Sequence, residues 1–491
     1  MTSETTVSTE PEAKKERTFF GQPFALVHVF GVEMWERFSF YGMQGILLLY
    51  MFYSVSEGGL GIPKPVAVGI VGAYGGSVYL ATILGAWLAD RLLGSERTLF
   101  YAAIVVMAGH LGLSLIPGIP GLATGLILIA LGSGGVKANA TSVVGTLYGE
   151  KDIRRDAGFS IFYLGINLGA FLGPLLTGLL QTTLGFHIGF AAAAVGMAIG
   201  LIQYSFGRRT LPPESKVVPN PLPRNHRLIM VGAAVGGVVV IVVLVLVGVL
   251  NADNLADAVA IVTLAASIAY FAVILSSKRI SGVERRRVYS FIPMFITSVA
   301  FWALYQQQFT VVTIYANDRL NLDLFGWDMP VAWVQSINPI FIIILSGVFA
   351  AIWTRWGDKQ PATPYKFAAA AIVMGIAFLL FIPFSGTGAH GTPLIALVGI
   401  LFVFTIAELL LSPVGLSLST RLAPKVFHTQ MVALFFLSIA LGTALSGILA
   451  GFYNENNEPP YFGISGLVAI AVGGALIAAT PWVRKMMSGV R

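Results

Sequence analysis

Cysteine is absent from the 491 residues of this chain, which excludes disulfides and any thiol nucleophile and leaves the redox compartment unread. Charge is scarce as well: Asp, Glu, Lys and Arg make up 11% of the residues, too few to cover a soluble protein of this length. The six histidines show no paired spacing, so neither a metal nor a cofactor is expected. No short apolar core with a cleavage site follows the polar first eighteen residues, which carry Lys14, Lys15 and Arg17; a signal peptide is not expected and this stretch reads as disordered. The glycine-rich stretches at 72–76 and 132–135 lack a Gly-Lys-Ser/Thr ending and read as close helix packing rather than phosphate loops. A formal charge of +7 would suit nucleic acid, but the bases sit in short loops between apolar runs, where they determine topology.

What the chain has in abundance is hydrophobic sequence, 56% of it, in runs long enough to cross a bilayer. Fourteen such runs lie near 24–52, 66–88, 98–116, 121–147, 156–182, 187–206, 228–250, 258–277, 287–316, 332–356, 365–384, 393–420, 427–451 and 462–484. With the N-terminus taken as cytoplasmic, 26 of the 30 Lys and Arg fall in cytoplasmic segments, and only Lys64 and Arg319 in external loops. Both termini are therefore expected in the cytoplasm. Runs seven and eight, bracketed by the basic linkers 207–227 and 278–287, are very apolar and carry no residue suited to chemistry. Setting them aside leaves two sets of six, the plan of the major facilitator superfamily. The expected fold is all-α and polytopic. A polar tail covers 1–20, a six-helix bundle 21–210, a linker with the extra helix pair 211–286, a second six-helix bundle 287–485, and a short tail 486–491.

In that plan core helices three, six, nine and twelve face lipid and the other eight line a cavity. Polar residues inside the runs follow the division: Glu33, Glu36, Arg37, Tyr41 and Gln44 on helix one, Tyr79 on two, Lys137 and Asn139 on four, Asn167 on five, Gln306, Gln307 and Gln308 on seven, Gln335 and Asn338 on eight, Glu408 on ten. His110 stands alone on helix three and reads as packing. Charge at bilayer depth is costly, so Glu33, Glu36 and Arg37, on one helix face by their spacing, point to a task such as carrying protons. Helices four and ten occupy corresponding places in the two halves. Lys137 on one and Glu408 on the other would face across the cavity and suit a zwitterion such as a short peptide. Asn338-Pro339 and Ser412-Pro413 place breaks beside it.

Four stretches resemble signatures of the proton-coupled oligopeptide transporter family: Glu33-x-x-Glu36-Arg37-Phe38-x-Phe40-Tyr41-Gly42, Gly85-Ala86-Trp87-Leu88-Ala89-Asp90-Arg91, Phe159 to Gly169, and Glu408-x-x-x-Ser412-Pro413. The resemblance implies uptake of di- and tripeptides with protons across the cell membrane by a protein that is monomeric and is not an enzyme. It implies a proton-linked group of Glu33, Glu36, Arg37 and Lys137. For substrate it implies Lys137 at the peptide carboxylate, Glu408 at the amino terminus, and Tyr41, Gln44, Tyr79, Asn167, Gln306, Asn338 and Ser412 around the rest. Asp90 and Arg91 would serve as an inner-gate and loop-anchoring pair. Gln44 and Gln306 depart from the family, where opposite charges often stand, and imply a neutral outer gate insensitive to pH.

Plainer readings compete. Glu33, Glu36 and Arg37 could lock helix one as a static salt bridge, and Glu408 could be a structural partner of Lys137. Lys137 lies too deep in its helix to snorkel. A same-fold transporter of nitrate, a drug or another zwitterion would keep the proton group without needing both Lys137 and Glu408. A membrane receptor or scaffold would have little use for titratable groups at midplane.

Overall fold

The computed structural model describes residues 18–149 and 152–490; most of the expected N-terminal tail, and Arg491, lie outside them. Fifteen α-helices make the described fold: α1 (Leu26–Phe52), α2 (Lys64–Leu88), α3 (Ser95–Leu115), α4 (Gly118–Thr146), α5 (Arg155–Leu184), α6 (Phe186–Gly207), α7 (Arg224–Leu246), α8 (Leu255–Ser276), α9 (Gly282–Tyr305), α10 (Val311–Arg319), α11 (Ile337–Trp356), α12 (Thr363–Leu379), α13 (Leu394–Leu422), α14 (His428–Ala450) and α15 (Glu458–Met486). They make fourteen crossings, because α9 and α10 are two pieces of one. Thirteen segments among the described residues are long and apolar enough to span a bilayer by composition. Helix α1 is not among them, since its glutamates, arginine and glutamine lower its hydropathy, but its 27 residues are of spanning length.

Small residues set how closely the helices approach. A methyl group built on Gly72 would lie 2.5 Å from the Cα of Gly447, so α2 and α14 cross backbone to backbone, one from each half. Gly134 meets Ala81 in the same way between α4 and α2, which confirms the packing role of both glycine-rich stretches. The inserted pair is peripheral. Helix α8 packs on α2 and α14, whereas the hydrophobic stretch of α7 buries none of its residues against the protein.

At one end the two halves are tied together. Lys64 at the start of α2 reaches Asp318 at 2.8 Å and Glu455 at 3.0 Å, and the Tyr53 hydroxyl donates to Asn317 at 2.6 Å. Trp333 donates to the carbonyl of Leu175 and Ser336 to that of Phe171. At the other end the halves part around a vestibule of about 1410 Å³, between Thr141 and Phe159 on one side and Trp353 and Arg421 on the other. The open end is the base-rich end.

Two local expectations change. The seventh core crossing is not continuous: after Tyr305 it tightens into a 3-10 turn, Gln306–Phe309, and Thr310 leaves helical geometry (φ −125°, ψ −90°) before α10 resumes. No Gly or Pro marks the spot. Conversely, α13 runs unbroken through Pro413, and Pro339 sits in the first turn of α11, where a proline is tolerated.

Candidate functional site

A second, smaller cavity of about 280 Å³ lies deeper than the vestibule, between the halves. Its walls come from α1, α2, α4, α5, α9, α11, α13 and α14 and from the 3-10 segments Gln306–Phe309 and Val331–Ser336. No lining residue comes from α3, α6, α12 or α15, so the division into cavity and lipid-facing helices holds. Tyr41, Gln44, Tyr79, Lys137, Asn167, Gln306, Asn338, Glu408 and Ser412 all line it. Ser412 also borders the vestibule and marks the way out.

Glu33, Glu36 and Arg37 do meet, but behind the cavity wall rather than on it. Helical spacing of four places Glu33 beneath Arg37, whose Nε and Nη2 donate to Glu33 Oε1 at 2.8 and 2.5 Å. Arg37 Nη1 stands 3.3 Å from Glu36 Oε2, and Ser133 on α4 donates to Glu36 Oε1 at 2.6 Å. All three charged side chains are buried. Among the described residues Glu33 Oε2 and Glu36 Oε2 have no hydrogen-bond partner, though Glu36 Oε2 is the oxygen that faces Arg37 Nη1.

Lys137 is one turn along α4 from Ser133. Its ammonium lies over the rings of Phe40 (4.6 Å) and Tyr79 (4.8 Å) and makes no ion pair among the described residues. Cation–π contact steadies the charge while leaving its hydrogen-bond directions free. Across the cavity Glu408 Oε2 accepts from the Tyr305 hydroxyl at 2.7 Å and from Asn338 Nδ2 at 3.3 Å; Asn338 Nδ2 also reaches Thr405 at 3.0 Å. These neutral donors orient the carboxylate without cancelling its charge. Lys137 and Glu408 are not paired with each other.

Ser133, Tyr305 and Thr405 escaped the sequence reading. Ser133 is four residues before Lys137 and Thr405 three before Glu408, so helical spacing would have found both. Tyr305 adjoins Gln306 as the last residue of α9, and its partner Glu408 lies 103 positions away. Asp90 and Arg91 lie in a π-helical turn, Ala89–Leu93, 3.4 Å apart. Asn220 donates to the Asp90 carboxylate, and the backbone N–H groups of Asn220 and Leu222 bond the carbonyls of Asp90 and Arg91. The pair thus anchors the linker before α7. His110 is fully buried away from the cavity. The expectation of a neutral gate needs correction: Gln44 and Gln306 line the cavity without hydrogen bonding each other, and the closed end away from the vestibule is charged, through Lys64, Asp318 and Glu455.

The sequence profile of the POT family matches residues 96–468. The chain belongs to the POT family. Among POT relatives, the uncharacterized transporter YclF of Bacillus subtilis (strain 168) is 39% identical over 481 residues, 97% of each chain. A protein of Lactococcus lactis subsp. cremoris named a di-/tripeptide transporter is 37% identical over 492 residues, 97% of this chain and 99% of its own. The crystal structure of a peptide transporter POT in complex with sulfate has a TM-score of 0.92 at 42% identity, over 96% of this chain and 98% of that one. A POT family transporter in complex with 5-aminolevulinic acid has a TM-score of 0.90 at 36% identity, over 95% and 98%. Such likeness over nearly the whole chain makes this a transporter with the major facilitator fold.

Proposed function

We propose that the chain imports di- and tripeptides together with protons across the cell membrane, as a monomer with both termini cytoplasmic, by exposing the central cavity to each side in turn. One observation carries the reading: a single cation, Lys137, and a single carboxylate, Glu408, stand on opposite halves of one small cavity. A peptide zwitterion carries the complementary charges at its two ends. The cavity, at about 280 Å³, suits a small ligand, and the Lactococcus relative is named for such substrates. The excess of bases at the open end supports a cytoplasmic position for it. On that reading the structure is inward-open, with the Lys64 cluster as outer closure.

The proton group then works as follows. With Glu33 and Glu36 ionised, Arg37 pairs with both, and Glu33 Oε2 remains unbonded, open to a proton or to Lys137, which lies one turn from the serine that holds Glu36. A proton on either acid leaves Lys137 uncommitted. The ammonium then takes the peptide carboxylate while Glu408 takes the amino group, and the ligand draws the halves together. Opening inward releases peptide and proton, and Lys137 returns to the acids. The ligand biases two states of similar energy and need not drive either fully.

Uptake of dialanine driven by a proton gradient in vesicles containing the purified protein tests the reading. Accumulation that collapses with the gradient is expected, and Lys137→Ala should abolish it. Concentrative uptake by that variant with unaltered pH dependence would refute the role of Lys137. Competition by 5-aminolevulinic acid and by nitrate against dialanine separates a peptide transporter from a relative that prefers another solute.

A further inference from the structure

Charge is unevenly spread over the central cavity. Among its lining side chains only Lys137 is an amine and only Glu408 an acid. On the peptide reading both are committed to the ends of the ligand, so whatever meets the ligand's side chains is neutral. The polar part of that remainder is amides and hydroxyls: tyrosines such as Tyr41 and Tyr163 stand beside four glutamines, Gln44 on α1, Gln306 and Gln308 in the break of the seventh crossing, and Gln335 in the turn before α11. Gln335 Nε2 is occupied by the Gln308 carbonyl at 2.7 Å and Thr313 Oγ1 at 2.8 Å, leaving its own carbonyl as the free end. The Gln44 carbonyl oxygen is buried and has no hydrogen-bond partner among the described residues. Arg37, the cation of α1, does not line the cavity and is engaged by Glu33 and Glu36.

We infer that this site selects di- and tripeptides whose side chains carry no charge, and that Gln44 and Gln306 set that limit. The inference rests on the peptide reading above. A peptide with neutral side chains brings one carboxylate and one ammonium, and each finds its counter-charge. A third charge, on a side chain, loses water on entry and meets amide and hydroxyl dipoles without a counter-ion, the arrangement that makes buried charge costly. An amide or hydroxyl side chain instead exchanges its water for hydrogen bonds with the glutamines.

The test uses the full chain in vesicles, with labelled dialanine displaced by Ala-Gln, Ala-Glu or Ala-Lys near neutral pH. Ala-Gln and Ala-Glu differ by one charge and hardly in shape. Ala-Gln is expected to compete within about threefold of dialanine, and Ala-Glu and Ala-Lys at least about tenfold more weakly. Gln306→Glu should improve Ala-Lys relative to Ala-Gln by about tenfold without helping Ala-Glu, and Gln44→Arg should do the reverse. Ratios within one variant cancel any general loss of binding, and the comparison on the unaltered chain depends on no variant folding. Equal competition by all three dipeptides would overturn the inference and leave the peptide reading standing. Discrimination that neither substitution shifts would overturn the assignment to Gln44 and Gln306. Failure of dialanine to bind would overturn the peptide reading itself.

Discussion

Arg37 holds two carboxylates at once while Glu33 Oε2 stays unbonded among the described residues, and on the proposed reading that oxygen makes the group a proton site rather than a static lock. A lock would be stiffest with every lone pair matched. Glu33→Gln and Glu36→Gln should therefore leave peptide-for-peptide exchange largely intact while proton-driven accumulation falls; both activities intact in each variant and in the double would return the group to a structural role. On the proposed reading the ligand's ammonium would meet, at Glu408, a carboxylate held by Tyr305 and Asn338. Glu408→Gln turns a charge-assisted hydrogen bond into a neutral one and should weaken dialanine binding by about 1–2 kcal/mol. N-acetyl-dialanine, with no ammonium, should lose much less; equal losses in a binding titration would mean that Glu408 acts on folding or gating.

At the scale of elements, the closed end, outer on the proposed orientation, carries a cluster of loop-end charges. Lys64 bridges to two carboxylates of the other half, but its side chain and Glu455 are each more than a third exposed. Solvent screens such pairs, so the cluster biases the conformational balance modestly, by about 1 kcal/mol or roughly fivefold in population. Lys64→Met should shift the protein toward the outward-facing state by that amount. The absence of native cysteine makes the measurement clean: in a Val71→Cys background, the rate of labelling by an impermeant thiol reagent added outside should rise about fivefold. An unchanged rate would show that Gly72 against Gly447, with the other packing around it, closes the outer end without help from the ion pairs.

For the whole molecule, the cavity is lined by eight of the twelve core crossings, and neither α7 nor α8 touches it. Deleting residues 224–276 removes an even number of crossings and preserves the orientation of everything that follows. The shortened protein should retain proton-coupled dialanine uptake. It should melt at a lower temperature, since α8 packs on α2 and α14 whereas α7 buries nothing. Loss of coupling in a well-folded deletion would give the pair a part in transport.

The order and number of crossings, and the sorting of cavity helices from lipid-facing ones, were legible in the sequence because a bilayer permits few structures and makes each buried polar residue conspicuous. Lys137, Glu408 and the Glu33–Glu36–Arg37 face could be named for the same reason. Three features had no such signal. The break after Tyr305 has no glycine or proline to announce it, since partners on other helices support the freed backbone: Gln335 Nε2, for one, binds the Gln308 carbonyl. The outer cluster joins Lys64 to residues more than 250 positions away, and the sequence shows only that Lys64 is a rare external base. The unpaired state of Lys137 over two rings, and the closure of one end with the other open, belong to one conformation among several. A single sequence encodes all of them, and only tertiary contacts decide which is populated.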